Sequence, residues 1–224
     1  MKKLISDIKS LKEGDVGVLV NKRIGEFKRL GRVPDGTRLR RKQRNEIFKE
    51  LCFCLLTANY SAERAISIQE KIGDGFLTMS QKRLARALAR LGYRYPNARA
   101  GYIILARKHK DSLVDYVRGF TPHIARACPE RGRREWLVKN IKGLGYKEAS
   151  HFLRNIGYDN LAIIDFHIVD LLLRHKLATR PKTLTKAKYF EVEKILVKIA
   201  KTSSLTLAEL DLYLWYIETG KILK

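Results

Sequence analysis

The sequence predicts an all-α protein built from many short helices. Apolar residues recur at helical spacing along most of the 224 residues, and no segment sustains the alternation expected of a strand. Residues that begin or end helices separate the periodic segments. With 45% hydrophobic residues, the chain is long and apolar enough to bury a substantial core.

The periodic segments set the limits of the individual helices, and the residues between them explain why each one stops. Ser61 and Ser80 are suited to N-capping, and Pro96 is suited to a first helical turn. Residues 206–209 read as a capping box, and Gly220 ends that last helix. The predicted helices are at about 2–11, 14–30, 41–58, 62–72, 81–91, 97–109, 111–118, 134–141, 146–156, 166–176, 186–201 and 207–219.

The charge of the chain points to a polyanionic partner. Lys and Arg number 46 against 23 Asp and Glu, which gives a net charge of +23. The last 24 residues carry equal numbers of both signs, so the excess belongs to the folded body and not to a tail. A compact body this basic favours nucleic acid. The alternative is the solvated, highly charged surface of a thermophilic protein, although such surfaces usually balance their signs.

Other features exclude several classes of protein. No apolar run approaches the ~20 residues of a membrane span, and no signal sequence opens the chain, so we expect a cytoplasmic protein without a membrane partner. Cys52, Cys54 and Cys128 are odd in number and widely spaced, which argues against a disulfide framework. Three cysteines also cannot supply a four-cysteine iron–sulfur or zinc site, and we expect no metal or cofactor. We expect Cys52 and Cys54 to be buried as small hydrophobic residues.

The most informative stretch is 136–149, where one helix ends and another begins after a very short turn. Gly143 and Gly145 flank the apolar Leu144 in this turn. Glycine allows a tight turn and close approach to another surface, and Leu144 can pin the turn between the helices. The free N–H groups of the turn and of the new helix would then suit a phosphate. A plain αα-hairpin without a ligand is the alternative.

Lys147 is the candidate reactive residue. The helix after the turn has a core stripe that Lys147 does not share, so its side chain leaves the core beside the predicted phosphate-binding turn. An ordinary surface lysine is the alternative in so basic a chain. The stripe consists of Ala149, Phe152, Leu153 and Ile156.

Asp165 is the second candidate, 18 residues after Lys147. A short apolar run, 162–164, delivers this carboxylate to the start of the next predicted helix. Asp165 could simply cap that helix. A cap and a catalytic carboxylate are compatible, because capping would itself hold the side chain in place.

The hairpin with Gly143, Gly145 and Lys147, followed by Asp165 and His167, resembles the helix-hairpin-helix DNA glycosylase superfamily. The resemblance runs from about residue 136 to 173, and the lysine is typical of the branch that is both glycosylase and lyase. Because Cys128 is the last cysteine, the branches with a C-terminal four-cysteine cluster are disfavoured. The compact length, segment 57–63 and tail 215–224 are similar to the type-2, mostly archaeal, 8-oxoguanine DNA glycosylase/lyases.

The resemblance implies roles for residues at matching positions. Lys147 corresponds to the nucleophile and Asp165 to the catalytic carboxylate. Gly143, Leu144 and Gly145 correspond to the hairpin that grips a DNA phosphate.

The resemblance also implies a second set of DNA-contacting and base-recognising residues. His167 matches a polar residue near the backbone of the lesion strand, and Asn59 matches the residue that fills the space left by an extruded base. Trp215 and Lys224 match a base-recognition tail, although a tryptophan on an amphipathic helix is usually a core residue. Backbone carbonyls or a terminal carboxylate could supply the acceptor that distinguishes the lesion from guanine.

The implied fold is the endonuclease III-like arrangement of two helical domains without an iron–sulfur cluster. We expect a barrel domain at 50–160 that contains the hairpin at about 134–156. Residues 1–49 and 161–224 would form the second domain, with a DNA cleft between the two. No Gly- or Ser-rich linker separates them, so they should share an intimate interface, and a turn-rich loop is expected at 31–36.

The implied activity is excision of 8-oxoguanine from duplex DNA through a lysine Schiff base, followed by β-elimination, without a cofactor. The expected partner is double-stranded DNA with a damaged base, bound by a monomer associated with the nucleoid. Two alternatives stay open: a glycosylase for another lesion, such as an oxidised pyrimidine or a mismatched base, and a non-catalytic helix-hairpin-helix DNA-binding protein.

Overall fold

The computed structural model describes residues 1–31, 41–113 and 129–224. Every regular element within these ranges is helical, as the sequence predicts. The predicted loop after residue 31, the predicted helix after residue 113 and Cys128 lie outside the described residues. The α-helices are α1 (Lys2–Glu13), α2 (Asp15–Gly31), α3 (Arg41–Thr57), α4 (Ala62–Ile72), α5 (Gly75–Thr78), α6 (Gln81–Arg90), α7 (Pro96–Ala106), α8 (Pro129–Asn140), α9 (Tyr146–Asn155), α10 (Phe166–Arg174), α11 (Lys186–Thr202) and α12 (Leu207–Thr219).

The predicted capping residues are confirmed. The side chains of Ser61 and Ser80 accept hydrogen bonds from the first turns of α4 and α6. Thr206 and Glu209 form a reciprocal capping box at the start of α12, and Gly220 ends that helix in the left-handed conformation, with φ of +70°. These local hydrogen bonds explain why the sequence places most helix ends correctly.

Two helical features differ from the sequence prediction. The single turn of α5 was not predicted, because four residues are too few to establish a helical period. Helix α8 begins at Pro129, about one turn before the predicted start at residue 134. Its first residues are mostly polar and therefore carry no apolar period, while Pro129 supplies a favourable first position.

Buried apolar residues form two clusters. The first contains residues between Ile47 and Leu161, and the second combines residues from Leu4 to Phe27 with residues from Ala162 to Leu214. We propose that these clusters are the cores of two domains, which agrees with the division at 50–160 that the sequence predicts. The first and last parts of the chain would then share one core.

Cys52 and Cys54 are fully buried and free, which confirms their predicted place in the core. Burial raises the pKa of both thiols well above the usual range, so both stay protonated. Among the described residues, no group of three or more His, Cys, Asp or Glu side chains is arranged as metal ligands. No helix in the described ranges is long and apolar enough to cross a bilayer.

Candidate active site

The turn between α8 and α9 requires a glycine at position 143. Gly143 has a φ of +92°, which L-residues rarely adopt. A Cβ atom there would lie 2.4 Å from the ring of Tyr102 on α7. Leu144 is buried in the first cluster with 5% exposure, so it pins the turn to the core as predicted.

The N–H group of Gly145 is not free, contrary to the expectation that the turn leaves its donors open for a phosphate. The Glu148 carboxylate, one turn into α9, accepts a hydrogen bond from the Gly145 N–H at 3.1 Å. The positive end of the helix dipole attracts an anion to the start of α9, and here the Glu148 side chain of the same helix is that anion. A phosphate that binds to the Gly145 N–H must therefore displace Glu148.

A cavity of about 740 Å³ opens between the hairpin helix α9, the start of α10 and the end of α12. Its volume is within the roughly 300–1,000 Å³ that is usual for ligand sites. Gly143, Leu144 and Gly145 do not line it and lie beside it on the hairpin. The cavity brings together the other predicted site residues, which are Asn59, Lys147, Asp165, His167, Trp215 and Lys224.

Lys147 and Asp165 are both positioned by helix starts. Lys147 lies in the first turn of α9, and its ammonium nitrogen is 3.5 Å from the carbonyl oxygen of Thr57 at the end of α3. Asp165 is the N-cap of α10, where its Oδ1 accepts a hydrogen bond from the Ile168 N–H at 3.1 Å. The predicted cap is therefore confirmed, and the capped carboxylate faces the same cavity as the lysine.

Asn59, His167 and Trp215 lie on the cavity wall. Asn59 is exposed and has a φ of +56°, a left-handed conformation that asparagine tolerates better than most residues. The rings of His167 and Trp215 meet edge to face with their centroids 5.8 Å apart. The indole N–H of Trp215 is buried and has no acceptor among the described residues.

The tail after α12 docks against both clusters instead of extending into solvent. Ile222 packs on the second cluster, while the Lys224 ammonium lies 3.0 Å from the Glu50 carboxylate and 4.5 Å from the centre of the Phe53 ring. Gln69 also accepts a hydrogen bond from this ammonium. Glu50 is 5% exposed, so Lys224 neutralises a buried carboxylate.

Sequence reasoning missed three polar residues of the cavity: His151, Arg154 and Asp211. Arg154 and Asp211 form an ion pair that joins α9 to α12. His151 lies one helical turn after Lys147, and Asp211 lies one turn before Trp215. The i, i+4 spacing that places such residues on one helix face was the sequence pattern that could have found them.

Burial shifts the pKa values of His151 and Asp211 in opposite directions. Burial lowers the pKa of His151 well below its usual value, and the charges of Arg154 and Lys147 act in the same direction, so the imidazole is neutral. Neither ring nitrogen has a hydrogen-bond partner of good geometry within the described ranges. Burial raises the pKa of Asp211 to about 6, helped by Asp165 and opposed by Arg154 and Lys147.

The raised pKa of Asp211 predicts a pH-dependent stability. The folded carboxyl takes up a proton at higher pH than an unfolded aspartate, so its contribution to the free energy of unfolding is present below pH 3.8 and is lost as the pH rises through about 6. Asp211→Asn removes this titration. When the pH is lowered from 7 to 4, we therefore expect the Tm of the wild type to rise relative to the Tm of the variant. The expected rise is several degrees, at roughly 2–4 °C per kcal/mol. Thermal unfolding of both proteins at both pH values measures the difference. A wild-type Tm that falls relative to that of the variant when the pH is lowered from 7 to 4 would contradict the assignment.

The helical fold, the glycine-containing hairpin and the cavity with its lysine and capped aspartate agree with the helix-hairpin-helix DNA glycosylase class that the sequence resembles. The family model described as 8-oxoguanine DNA glycosylase matches residues 20–205. The chain belongs to this family.

Similar proteins cover nearly the whole chain. The 8-oxoguanine DNA glycosylase/AP lyase of Korarchaeum cryptofilum is 49% identical to this chain, and the match covers 99% of this chain and 98% of that protein. The 8-oxoguanine DNA glycosylase/AP lyase of Methanocaldococcus jannaschii is 48% identical, and the match covers 99% of both chains. A crystal structure of the M. jannaschii enzyme with a 15mer DNA containing 8-oxoguanine has a TM-score of 0.88 at 47% identity, over 99% of this chain and 100% of that one. The Thermotoga maritima 8-oxoguanine DNA glycosylase has a TM-score of 0.86 at 42% identity, over 100% of this chain and 99% of that one.

Proposed function

We propose that this protein excises 8-oxoguanine from double-stranded DNA and then cleaves the strand at the abasic sugar. The observation that carries the proposal is the meeting of Lys147 and the capped Asp165 in one cavity of suitable size. Relatives named 8-oxoguanine DNA glycosylase/AP lyase support the choice of lesion. The enzyme would act as a monomer on DNA in the cytoplasm.

Duplex DNA is drawn in by the +23 charge and held through its phosphates. The hairpin turn at 143–145 binds one phosphate, in exchange for the Glu148 carboxylate that occupies the Gly145 N–H. The damaged nucleotide leaves the stack because its sugar cannot be attacked within the duplex. Asn59, exposed at the cavity edge, fills the vacated space, and His167 contacts the lesion strand.

Base excision uses Lys147 as the nucleophile. As a neutral amine, its Nζ attacks C1′ of the deoxyribose, the bond between C1′ and N9 breaks, and the departing base receives the electron pair and a proton. Positive charge develops on the sugar as the base leaves. The Asp165 carboxylate stabilises this charge from its fixed position at the start of α10.

Strand cleavage follows from the covalent adduct. The attached nitrogen then loses one proton, and the sugar ring opens at O4′, which keeps the electron pair of the broken bond and takes up a proton from water. The product is a protonated Schiff base between Lys147 and C1′. Removal of a proton from C2′ then expels the 3′ phosphate, and water hydrolyses the Schiff base to release the enzyme. Every step uses side chains of this protein and water.

The cavity offers several groups that suit a purine. Trp215 presents a flat ring for stacking. The neutral His151 lines the cavity, and the Asp211 carboxylate can accept hydrogen bonds from a purine edge. 8-Oxoguanine carries a hydrogen at N7 where guanine carries a lone pair, so an acceptor aimed at N7 disfavours guanine. The docked tail around Lys224 holds backbone acceptors in this cavity.

A panel of lesion duplexes tests the proposal against its alternatives. Wild-type protein is incubated with duplexes that contain 8-oxoguanine, an oxidised pyrimidine, a mismatched base or no lesion, and released bases and strand nicks are measured. Preferential release of 8-oxoguanine supports the proposal. Release of another base would identify a different lesion specificity, and binding without release would identify a non-catalytic DNA-binding protein.

The Lys224 contacts predict that the side chain of this residue matters for excision. Lys224→Ala removes the ammonium that holds the tail to Glu50 and Phe53, so the tail should leave the cavity wall. We expect 8-oxoguanine excision to fall by roughly tenfold or more, because misplaced recognition groups reduce reaction rates steeply. Binding to undamaged duplex should change little.

Lys198→Ala is the control for Lys224→Ala, because Lys198 is an exposed lysine on α11 outside the cavity. Its single-turnover excision rate should equal that of the wild type. Equal rates for Lys224→Ala and Lys198→Ala would exclude a role for the docked tail.

A further inference from the structure

Segment 162–164, which leads to Asp165, is buried but has no regular secondary structure. Its backbone N–H and C=O groups therefore cannot be satisfied by a helix of their own. Buried backbone polar groups need partners, and the identity of those partners decides how firmly the segment is held. For both backbone groups of Ala162 and for the Ile164 N–H, the partners are side chains of α11.

Two side chains one turn apart on α11 hold both backbone groups of Ala162. The Tyr189 hydroxyl donates to the Ala162 carbonyl oxygen at 2.6 Å, and the Glu193 carboxylate accepts from the Ala162 N–H at 3.1 Å. The Tyr189 oxygen also accepts from the Ile164 N–H at 3.3 Å. Tyr189 and Glu193 are each 2% exposed, so water does not compete for these bonds.

The same hydroxyl contacts the helix that carries Lys147. The Tyr189 oxygen lies 3.2 Å from the Ser150 hydroxyl, and Ser150 is three residues after Lys147 on α9. Ser150 in turn accepts a hydrogen bond from Arg134, which forms a buried two-point ion pair with Glu193. The bonds thus form a closed ring through Arg134, Ser150, Tyr189, Ala162 and Glu193.

We infer that Tyr189 is a positioning residue for base excision, because its hydroxyl fixes the segment that carries Asp165 against the helix that carries Lys147. This inference rests on the proposed function. Burial raises the pKa of Tyr189, so the hydroxyl keeps the proton that it donates to Ala162. Tyr189 does not line the cavity and acts only through its neighbours.

The two reactions of the enzyme depend differently on this positioning. Excision needs Lys147 and Asp165 together, since positive charge develops on the sugar as the base leaves. On DNA that already contains an abasic site, the cyclic sugar is in equilibrium with an open form that has an aldehyde at C1′, and no glycosidic bond breaks. Schiff-base formation there depends on Lys147 far more than on Asp165.

Tyr189→Phe removes only the hydroxyl and tests the inference. Single-turnover excision of 8-oxoguanine and borohydride trapping on abasic DNA are measured well below the Tm of each protein. We expect excision to slow by roughly 10- to 100-fold, as a small misplacement of reacting groups does, while trapping and duplex affinity change little. A lower fraction of folded protein would reduce both reactions equally and leave their ratio unchanged.

Ser150→Ala and Tyr213→Phe complete the experiment. Ser150→Ala removes the hydroxyl that links Tyr189 to α9. Like Tyr189→Phe, it should lower the ratio of excision to trapping. It becomes the deciding variant if Tyr189→Phe does not fold. Tyr213 is a buried tyrosine of the same cluster, and within the described residues we find no hydrogen bond from its hydroxyl to α9 or to segment 162–164. Tyr213→Phe should therefore keep the wild-type ratio.

An unchanged ratio in folded Tyr189→Phe, or in Ser150→Ala when the first variant is unfolded, would overturn the inference. Failure of the wild type to release 8-oxoguanine would instead overturn the proposed function. Because the wild type is measured first, the two failures are distinguishable.

Discussion

Lys147→Gln should abolish both base excision and covalent trapping. Glutamine has nearly the length of lysine but no nucleophilic amine, so neither attack at C1′ nor a Schiff base is possible. We expect the single-turnover excision rate to fall by at least about 1,000-fold, as removal of a catalytic nucleophile does. The affinity for lesion DNA should stay close to that of the wild type, because only one of the many positive charges of a strongly basic protein is lost.

Lys139→Gln is the matched control for this change. Lys139 is an exposed lysine at the end of α8, on the other side of the hairpin turn, and it does not line the cavity. Gel analysis after borohydride treatment should show a covalent protein–DNA band for wild type and Lys139→Gln only. An undiminished band in Lys147→Gln would assign the nucleophile to another residue.

Asp165→Asn should separate the catalytic role of this residue from its structural role. Asparagine is as good an N-cap as aspartate, so the hydrogen bond to the Ile168 N–H can persist and the Tm should change little. The negative charge that stabilises the sugar cation is lost. We expect excision to slow by about 100-fold or more, the size of effect seen when a stabilising group of a transition state is removed.

Asp170→Asn, the same substitution within α10 but outside the cavity, serves as its control and should excise at the wild-type rate. Thermal unfolding and single-turnover kinetics are measured on the same preparations. A large loss of Tm in Asp165→Asn with normal excision per folded molecule would mean that Asp165 is only a cap.

Local patterns in the sequence were sufficient for most of the helices and for the N-cap formed by Asp165. Caps such as Ser61 and Ser80 act within one helical turn, so the sequence predicts them without knowledge of the fold. The hairpin glycines are equally local, whereas the rest of α9 and an irregular segment separate Lys147 from Asp165, so the meeting of these two residues in one cavity depends on packing.

The cavity was only partly predictable. His151 and Asp211 come from α9 and α12, and their meeting depends on how these helices pack. Glu50, which holds Lys224, is 174 residues from it in the sequence. A lone buried carboxylate would be costly, yet the sequence does not reveal that it is buried or which cation neutralises it.

The helical class, most helix ends and the basic character could be predicted from the sequence, because they follow from composition and from interactions between residues near one another in the chain. The pairing of Lys147 with Asp165 was predicted from the resemblance to the helix-hairpin-helix DNA glycosylases, and the catalytic roles of both residues stay predictions. The pairing of Asp211 with Arg154 in the cavity, and the tie that Tyr189 makes between the Asp165 segment and α9, became evident only once the helices were seen packed together. Side-chain rotamers and long-range packing set these contacts, because burial strengthens each polar bond and removes the water that would otherwise replace it.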